Sequence, residues 1–527
     1  MPHRMIDPLT ENIIRRVNVG DLLTRSASKQ PSRLAIVDRD RRFTYRSVND
    51  WVNSFANALT GLGLRHGDSL AIMSRNRAEF LVTYFACAKI GVVCVPVNLL
   101  WRPKELTYVL NHSGVAAIVL EPEFRAHIEA IADRLPKLKH QIVMSDEDAH
   151  LSFEKLVAVT PAHEPQHLIE DRDPVSYLYT SGTTSAPKGV ASSHLAIYVA
   201  ALSMALESKL SYGDQVLAML PLFHTTPLNT LCTPAIAAGA TIHIRQGFDA
   251  EAVLDLFETE HISVLVALPI MYRALLDLQL RSPRNVSQLR LALYGMAPMP
   301  RPELERLIET FNCDFALVFG QTEMSPVTTM FRPEHQLTHS GAAGTPLANV
   351  EVGIMDPQGL LLPQGAVGEI VYRGPQVLNG YLHDEAATAE AFRFGWFHSG
   401  DAGYINADGL LWFQDRIKDV IKSGGENVAS VEVEQALYNA EPRLKEVVVI
   451  GLPHERWGEA VTAIAVQKDG EALDERDILL KLRDRLAAHK CPKAIIFTDT
   501  LPKTATAKVQ KVELRKRFQD YYRGAAS

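Results

Sequence analysis

Residues 179–190, Tyr-Thr-Ser-Gly-Thr-Thr-Ser-Ala-Pro-Lys-Gly-Val, carry the densest chemistry in the chain. Hydroxyls (Thr180, Ser181, Thr183, Thr184), glycines (Gly182, Gly189) and Lys188 follow an apolar run at 175–179 that reads as a buried strand ending in a sharp turn. Such a loop suits a polyphosphate. Glycines let backbone N–H groups approach the oxygens, hydroxyls add donors, and the lysine neutralises charge. The spacing is not that of a G-x-x-x-x-G-K-[ST] loop. By composition alone, a Ser/Thr-rich connector would read the same way.

Five further stretches offer reactive groups. Residues 221–227 set His224 in a loop bounded by prolines, where a lone histidine is more often structural than functional. Residues 295–300 (Gly295, Met296, Ala297, Pro298, Met299, Pro300) join a strand to a helix, so their backbone can line a flat ligand. Residues 319–325 bring an aromatic face, a hydroxyl and a carboxylate together in Phe319, Thr322 and Glu323. That set can stack a base, touch a phosphate and hold a hard ion such as Mg²⁺; it also reads as a capped helix start. Asp401, in Trp-Phe-His-Ser-Gly-Asp ahead of an expected strand pair, can accept bonds from two ribose hydroxyls or cap the turn. Lys508 closes a loop before the last helix, where a solvated lysine is the bland alternative.

The elements that position these groups are legible in outline. Strand-like runs at 69–73, 92–97, 116–120, 141–144, 216–220, 241–244, 263–268, 291–294 and 315–319 alternate with longer segments expected to be amphipathic helices, at 78–90, 104–111, 124–135, 250–259 and 302–311. Strand, helix, strand in succession implies parallel sheets covered by helices. Residues 351–413 change to short alternating runs with turns, a small β-rich subdomain. Beyond 415 comes a compact α+β pattern: helix 431–439, strands 446–450 and 462–467, helix 474–488 and strand 494–498. The expected fold class is α/β: a large N-terminal domain of parallel-sheet α/β subdomains plus the β-rich one, and a small mobile α+β C-terminal domain. The chain of 527 residues, 47% hydrophobic and 22% charged, exceeds the size of a single core. A net charge of −7 argues against bulk nucleic-acid binding. Five cysteines without CxxC pairs fit neither a disulfide framework nor a zinc site. With no signal peptide or membrane-length apolar run, a cytoplasmic protein is expected, and a homodimer is left open.

In this order the motifs resemble the adenylate-forming superfamily: acyl- and aryl-CoA synthetases, adenylation domains and beetle luciferases. The resemblance runs from 43–45 (Phe-Thr-Tyr) to the Lys508 loop, and implies a carboxylic acid–CoA ligase that uses ATP, Mg²⁺ and CoA. An AMP-binding domain at 1–415, a hinge at 416–418 and a small domain at 419–527 carrying the catalytic lysine would follow. By position, Thr180, Ser181, Gly182, Thr183, Thr184 and Lys188 meet the β- and γ-phosphates, with Ser185 standing where glycine is usual. Phe319, with Gly320, takes the place of the tyrosine that stacks on adenine. Thr322 reaches the α-phosphate, Glu323 ligates Mg²⁺, and Asp401 with Arg416 holds the ribose.

The same resemblance implies that His224 guards the carboxylate and that Gly295, Met296, Ala297 and Pro298 line the strip between acid and adenine. Lys508, after an atypical Ala507, bridges the carboxylate and the α-phosphate. The resemblance further implies that rotation about Lys418 exchanges the Lys508 loop for the face of Ser423, Gly424 and Gly425, the two glycines supplying soft backbone. Trp457, Lys490 and Lys493 resemble the residues that meet CoA in some aryl-CoA ligases. The pocket positions (His224, Thr225, 294–297, Leu317, 324–327) are mainly apolar, so a fatty or aromatic monocarboxylic acid is expected. Loading of a separate carrier protein is the alternative, and a luciferase-type oxygenase a more distant one.

Overall fold

A computed structural model of the chain describes residues 6–145, 149–180, 187–296, 299–468, 473–503 and 509–523. Two large sheets dominate. The first runs Thr345–Pro346, Val327–Phe331, Asp314–Gly320, Leu291–Tyr294, Val264–Ala267, Gln215–Ala218, Thr241–Ile244, Leu34–Asp38, Arg41–Thr44. Its six central strands are parallel and its edges antiparallel. The second runs Gly380–Tyr381, Lys188–Ser193, Pro174–Thr180, Val93–Pro96, Ser69–Met73, Val115–Leu120, His140–Val143. It is parallel except for the first two strands. Segments 69–73, 241–244 and 291–294 fall where the apolar runs place them.

Between the sheets lies a core in which Phe55, Phe85, Val119, Ile197, Ile242 and Val318 are joined. Helix Ala78–Ile90 crosses it and departs from expectation: all of its residues are buried, so it has no polar face. Its two charges are neutralised in place. Glu79 is held by Arg41 at 2.5 Å and Arg77 at 2.7 Å. Burial pushes its carboxyl up, but those arginines outweigh burial and hold it down at about 2. Lys89 donates to Asn49, Asn53 and Glu164 at 2.7–2.8 Å. The expected helix at 124–135 is broken into the short turns Pro122–Phe124, Arg125–Glu129 and Ala132–Arg134.

Two smaller sheets follow. Glu351–Met355, Gly368–Arg373, Phe397–Ile405 and Leu411–Arg416 form an antiparallel sheet. The last sheet orders Glu426–Val428, Ile421–Ser423, Gly458–Gln467, Leu444–His454, with Ala494–Phe497 parallel to Gly458–Gln467. Helices Ser430–Ala440 and Glu475–Arg483 cover it around Val433, Leu437, Ile478 and Leu482. The second of these is shorter than the expected 474–488. No helix among the described residues is long and apolar enough to cross a membrane.

Candidate active site

The candidate residues of the large sheets gather at the carboxyl ends of parallel strands, where α/β sheets bind ligands. Thr180 ends Pro174–Thr180, Gly295 follows Leu291–Tyr294, Gly320 ends Asp314–Gly320, and His224 lies in the loop after Gln215–Ala218.

Strands Pro174–Thr180 and Lys188–Ser193 form a hairpin whose register pairs Thr180 with Lys188 and Tyr179 with Gly189. A Cβ at Gly189 would lie 3.1 Å from the Tyr179 ring, so glycine lets that ring cover the hairpin. The Tyr179 hydroxyl is 2.8 Å from His112 Nδ1. Ser181, Gly182, Thr183, Thr184 and Ser185 of the loop lie outside the described residues, as do Ala297, Pro298, Ala507 and Lys508.

Glu323 sits in the turn Thr322–Met324. Gly320 makes this turn possible: its φ is +155°, and a Cβ there would lie 2.1 Å from the Pro326 carbonyl. Leu378 N–H donates to the Glu323 carbonyl at 2.8 Å, and Gln376 Nε2 donates to the carbonyls of Met324 and Val327 at 2.7 and 2.6 Å. The Tyr381 hydroxyl donates to Glu323 Oε1 at 3.1 Å. Over the same ring lies the Lys188 ammonium, 4.7 Å from its centre. Burial, with the Glu323 carboxylate beside it, pushes the Tyr381 phenol up, so it remains a donor at neutral pH. Tyr381 and Gln376 escape a sequence reading because neither stands in a charged or glycine-rich run. Strand Gly380–Tyr381 meets Ala191 and Val190 only in the fold.

Asp401 lies within strand Phe397–Ile405, and not ahead of a strand pair as expected: Gly409 and Asn406 make the turn that follows. Its register partner is Arg416, whose Nε is 2.8 Å from Asp401 Oδ1. Asp401 is buried, and its N–H donates to Ser399 Oγ at 3.0 Å. Phe319 faces Phe413 with ring centres 5.5 Å apart.

His224 N–H donates to the Pro221 carbonyl at 3.0 Å, and burial pulls its imidazole down to about 4. It is therefore neutral at pH 7, the form that leaves a ring nitrogen able to accept. Asn76 holds the start of this loop, donating to the Leu220 carbonyl at 2.8 Å and accepting from Leu222 N–H at 2.8 Å. A π-helix, Thr226–Cys232, follows. A Cβ at Gly295 would lie 3.1 Å from the Val318 carbonyl, and Met296, at φ +71°, is 57% exposed.

The C-terminal candidates form a cluster of their own. Gly424 and Gly425, at φ +62° and +88°, are the two-residue turn joining Ile421–Ser423 to Glu426–Val428. Their glycine character is thus used by a tight hairpin. Gly424 N–H donates to the Trp457 carbonyl at 2.8 Å. Arg456 and Lys493 lie 4.6 and 4.9 Å from the centre of the Trp457 ring. The ammonium of Lys490 lies 2.7 Å from Glu432 Oε1.

Known proteins match this arrangement along its length. The family model described as AMP-binding enzyme covers residues 23–382, and that of the AMP-binding enzyme C-terminal domain covers 432–508. A feruloyl-CoA synthase of Amycolatopsis sp is 34% identical over 96% of this chain and 100% of its own. An indoleacetate–CoA ligase of Aromatoleum aromaticum is 33% identical over 95% of this chain and 98% of its own. The crystal structure of ATP-bound MatB from Rhodopseudomonas palustris superposes with a TM-score of 0.87 at 30% identity, over 96% of this chain and 100% of that one. The chain belongs to the AMP-binding enzyme family, in the acyl- and aryl-CoA synthetase branch of the adenylate-forming superfamily. Its reaction class is that of the AMP-forming acid–CoA ligases.

Proposed function

We propose that this protein activates a fatty or aromatic monocarboxylic acid as its acyl adenylate and then transfers the acyl group to coenzyme A. A carboxylate is a poor electrophile, and the α-phosphorus of ATP is shielded by negative charge. The substrate carboxylate attacks the α-phosphorus and pyrophosphate leaves; the CoA thiol then attacks the acyl carbon and AMP leaves. The protein's part is positioning and charge stabilisation. Lys188 and the loop after Thr180 hold the phosphates, Thr322 the α-phosphate, Asp401 with Arg416 the ribose, and Phe319 the adenine. His224, neutral, borders the carboxylate, and Lys508 bridges it to the α-phosphate. Trp457 and Lys493 receive CoA.

The observation that carries this reading is the meeting of Lys188 and Glu323 on one side chain, Tyr381, beside the strand end that bears Phe319. Glu323 Oε2 has no partner among the described residues, which also include no group of three or more His, Cys, Asp or Glu able to hold a metal. That fits Mg²⁺ carried in with the nucleotide, one carboxylate completing a shell of phosphate oxygens and water. When bound it would neutralise charge on the phosphates. A cytoplasmic setting belongs to the same reading, since all five cysteines are free and three are buried.

The test is pyrophosphate release across a panel of fatty, aromatic and amino acids, with and without CoA. Release that depends on a monocarboxylic acid and continues only with CoA is expected. Release that stops after one turnover with CoA present would favour a carrier protein as acceptor, and no acid-dependent release would overturn the reading.

A further inference from the structure

Residues 376–384 form a strap across the site. Gln376 grips the carbonyls of Met324 and Val327, Leu378 grips that of Glu323, and Gly380 and Tyr381 pair with Ala191 and Val190. Leu382 N–H then donates to the Gly189 carbonyl at 2.8 Å, one residue from Lys188. Tyr381 is fixed from behind as well. Its N–H donates to Thr388 Oγ1 at 2.9 Å, and a Cβ at Gly380 would lie 2.9 Å from the Thr388 side chain. Its phenol therefore has little freedom, and it ends between two opposite charges.

With nothing between them, a lysine and a glutamate that flank one side chain would pair and neutralise each other. They do not: Lys188 lies over the Tyr381 ring and Glu323 accepts from the Tyr381 hydroxyl, with no Lys188–Glu323 ion pair among the described residues. We propose that Tyr381 is a positioning residue that keeps Lys188 and Glu323 apart, so that each stays available to a metal–nucleotide complex. The hydroxyl occupies one carboxylate oxygen and aims the other. The ring face stabilises the ammonium without discharging it. This rests on the reading of Lys188 as a nucleotide ligand and Glu323 as a metal ligand, and adds a side chain that acts through those two residues.

Calorimetric ATP binding to the full chain, in Mg²⁺ and in excess EDTA, separates the two roles. Tyr381→Phe keeps the ring, so it should bind Mg·ATP about tenfold more weakly while binding ATP in EDTA as the wild type does. Tyr381→Leu removes the ring as well. Lys188 and Glu323 should then pair, and metal-free ATP binding should fall several-fold. Adding Glu323→Gln to Tyr381→Leu should restore that metal-free binding, a rescue that a purely structural role for the tyrosine would not give. Wild-type affinity for Mg·ATP in Tyr381→Phe, or no rescue in the double variant, would overturn the inference. A wild-type protein that binds no ATP would overturn the ligase reading and this inference with it.

Discussion

Asp401 and Arg416 face each other across two adjacent strands, so truncating the aspartate removes an acceptor and leaves a guanidinium with one partner fewer. Asp401→Ala should raise the KM for ATP roughly a hundredfold, about 2–3 kcal/mol for deleting a charge-assisted hydrogen bond in a buried site. Initial rates at varied ATP measure it, and a change under threefold would count against a ribose role. Histidines set a second test at this scale. Burial pulls buried His194 down to about 3 and His243 to about 4. Both folded values lie below that of an unfolded histidine, about 6.5, so as the pH falls the unfolded chain takes up protons first. Stability should therefore fall from pH 6.5 toward 4, by about 2 kcal/mol per histidine at pH 5. Glu79, depressed to about 2, adds to the slope once the pH falls into the ordinary glutamate range near 4.5, where the unfolded chain is protonated first. Urea unfolding at pH 7 and pH 5 would contradict this if the two free energies agreed.

At the scale of elements, Gly320 carries the turn that presents Glu323. Gly320→Ala should cost about 3 kcal/mol or more and abolish ATP binding, because the new methyl meets a backbone carbonyl rather than a movable side chain. Gly61, at the end of helix Tyr45–Gly61 with open space around it, is the control. Gly61→Ala should be neutral or gain up to about 1 kcal/mol. Denaturant midpoints would separate the two. The same elements show what a sequence reveals. Helices 78–90 and 250–259 and strand 291–294 have the expected bounds because the ends of their apolar stretches and the turn or capping residues beside them are local signals. The full burial of 78–90 was not legible: Glu79 and Lys89 suggest a wet face, and their partners Arg41 and Glu164 lie far away in the chain. The aromatic–hydroxyl–carboxylate set at 319–323 is local and could be read. Tyr381 joins it through a strand pairing that no local pattern announces.

At the scale of the molecule, the C-terminal sheet is anchored where the hinge was expected. Asp415, buried at the end of strand Leu411–Arg416, accepts from Ser430 N–H at 2.6 Å and so caps helix Ser430–Ala440. A rotation about residues 416–418 would have to break that bond. If the family's alternation operates here, two variants should divide the reaction. Lys508→Ala should nearly abolish adenylate formation while leaving thioester formation from supplied acyl adenylate largely intact. Lys418→Pro, by fixing φ at the pivot, should do the reverse. Assaying the two half-reactions separately checks this, and equal loss of both in either variant would contradict it.

The π-helix at Thr226–Cys232 has a consequence for how this site can change. Each of its turns holds one residue more than an α-helical turn, with Thr233 N–H reaching back five residues to the Leu228 carbonyl. The segment thus stores a surplus residue just after His224. Deleting one residue would let the backbone tighten into an α-helix with its bonding intact, while swinging everything upstream by about 100°. Under the proposed function, Thr225 and His224 would then turn away from the acid together. Here a change in chain length, without any change in side-chain chemistry, is enough to re-aim the loop that carries His224.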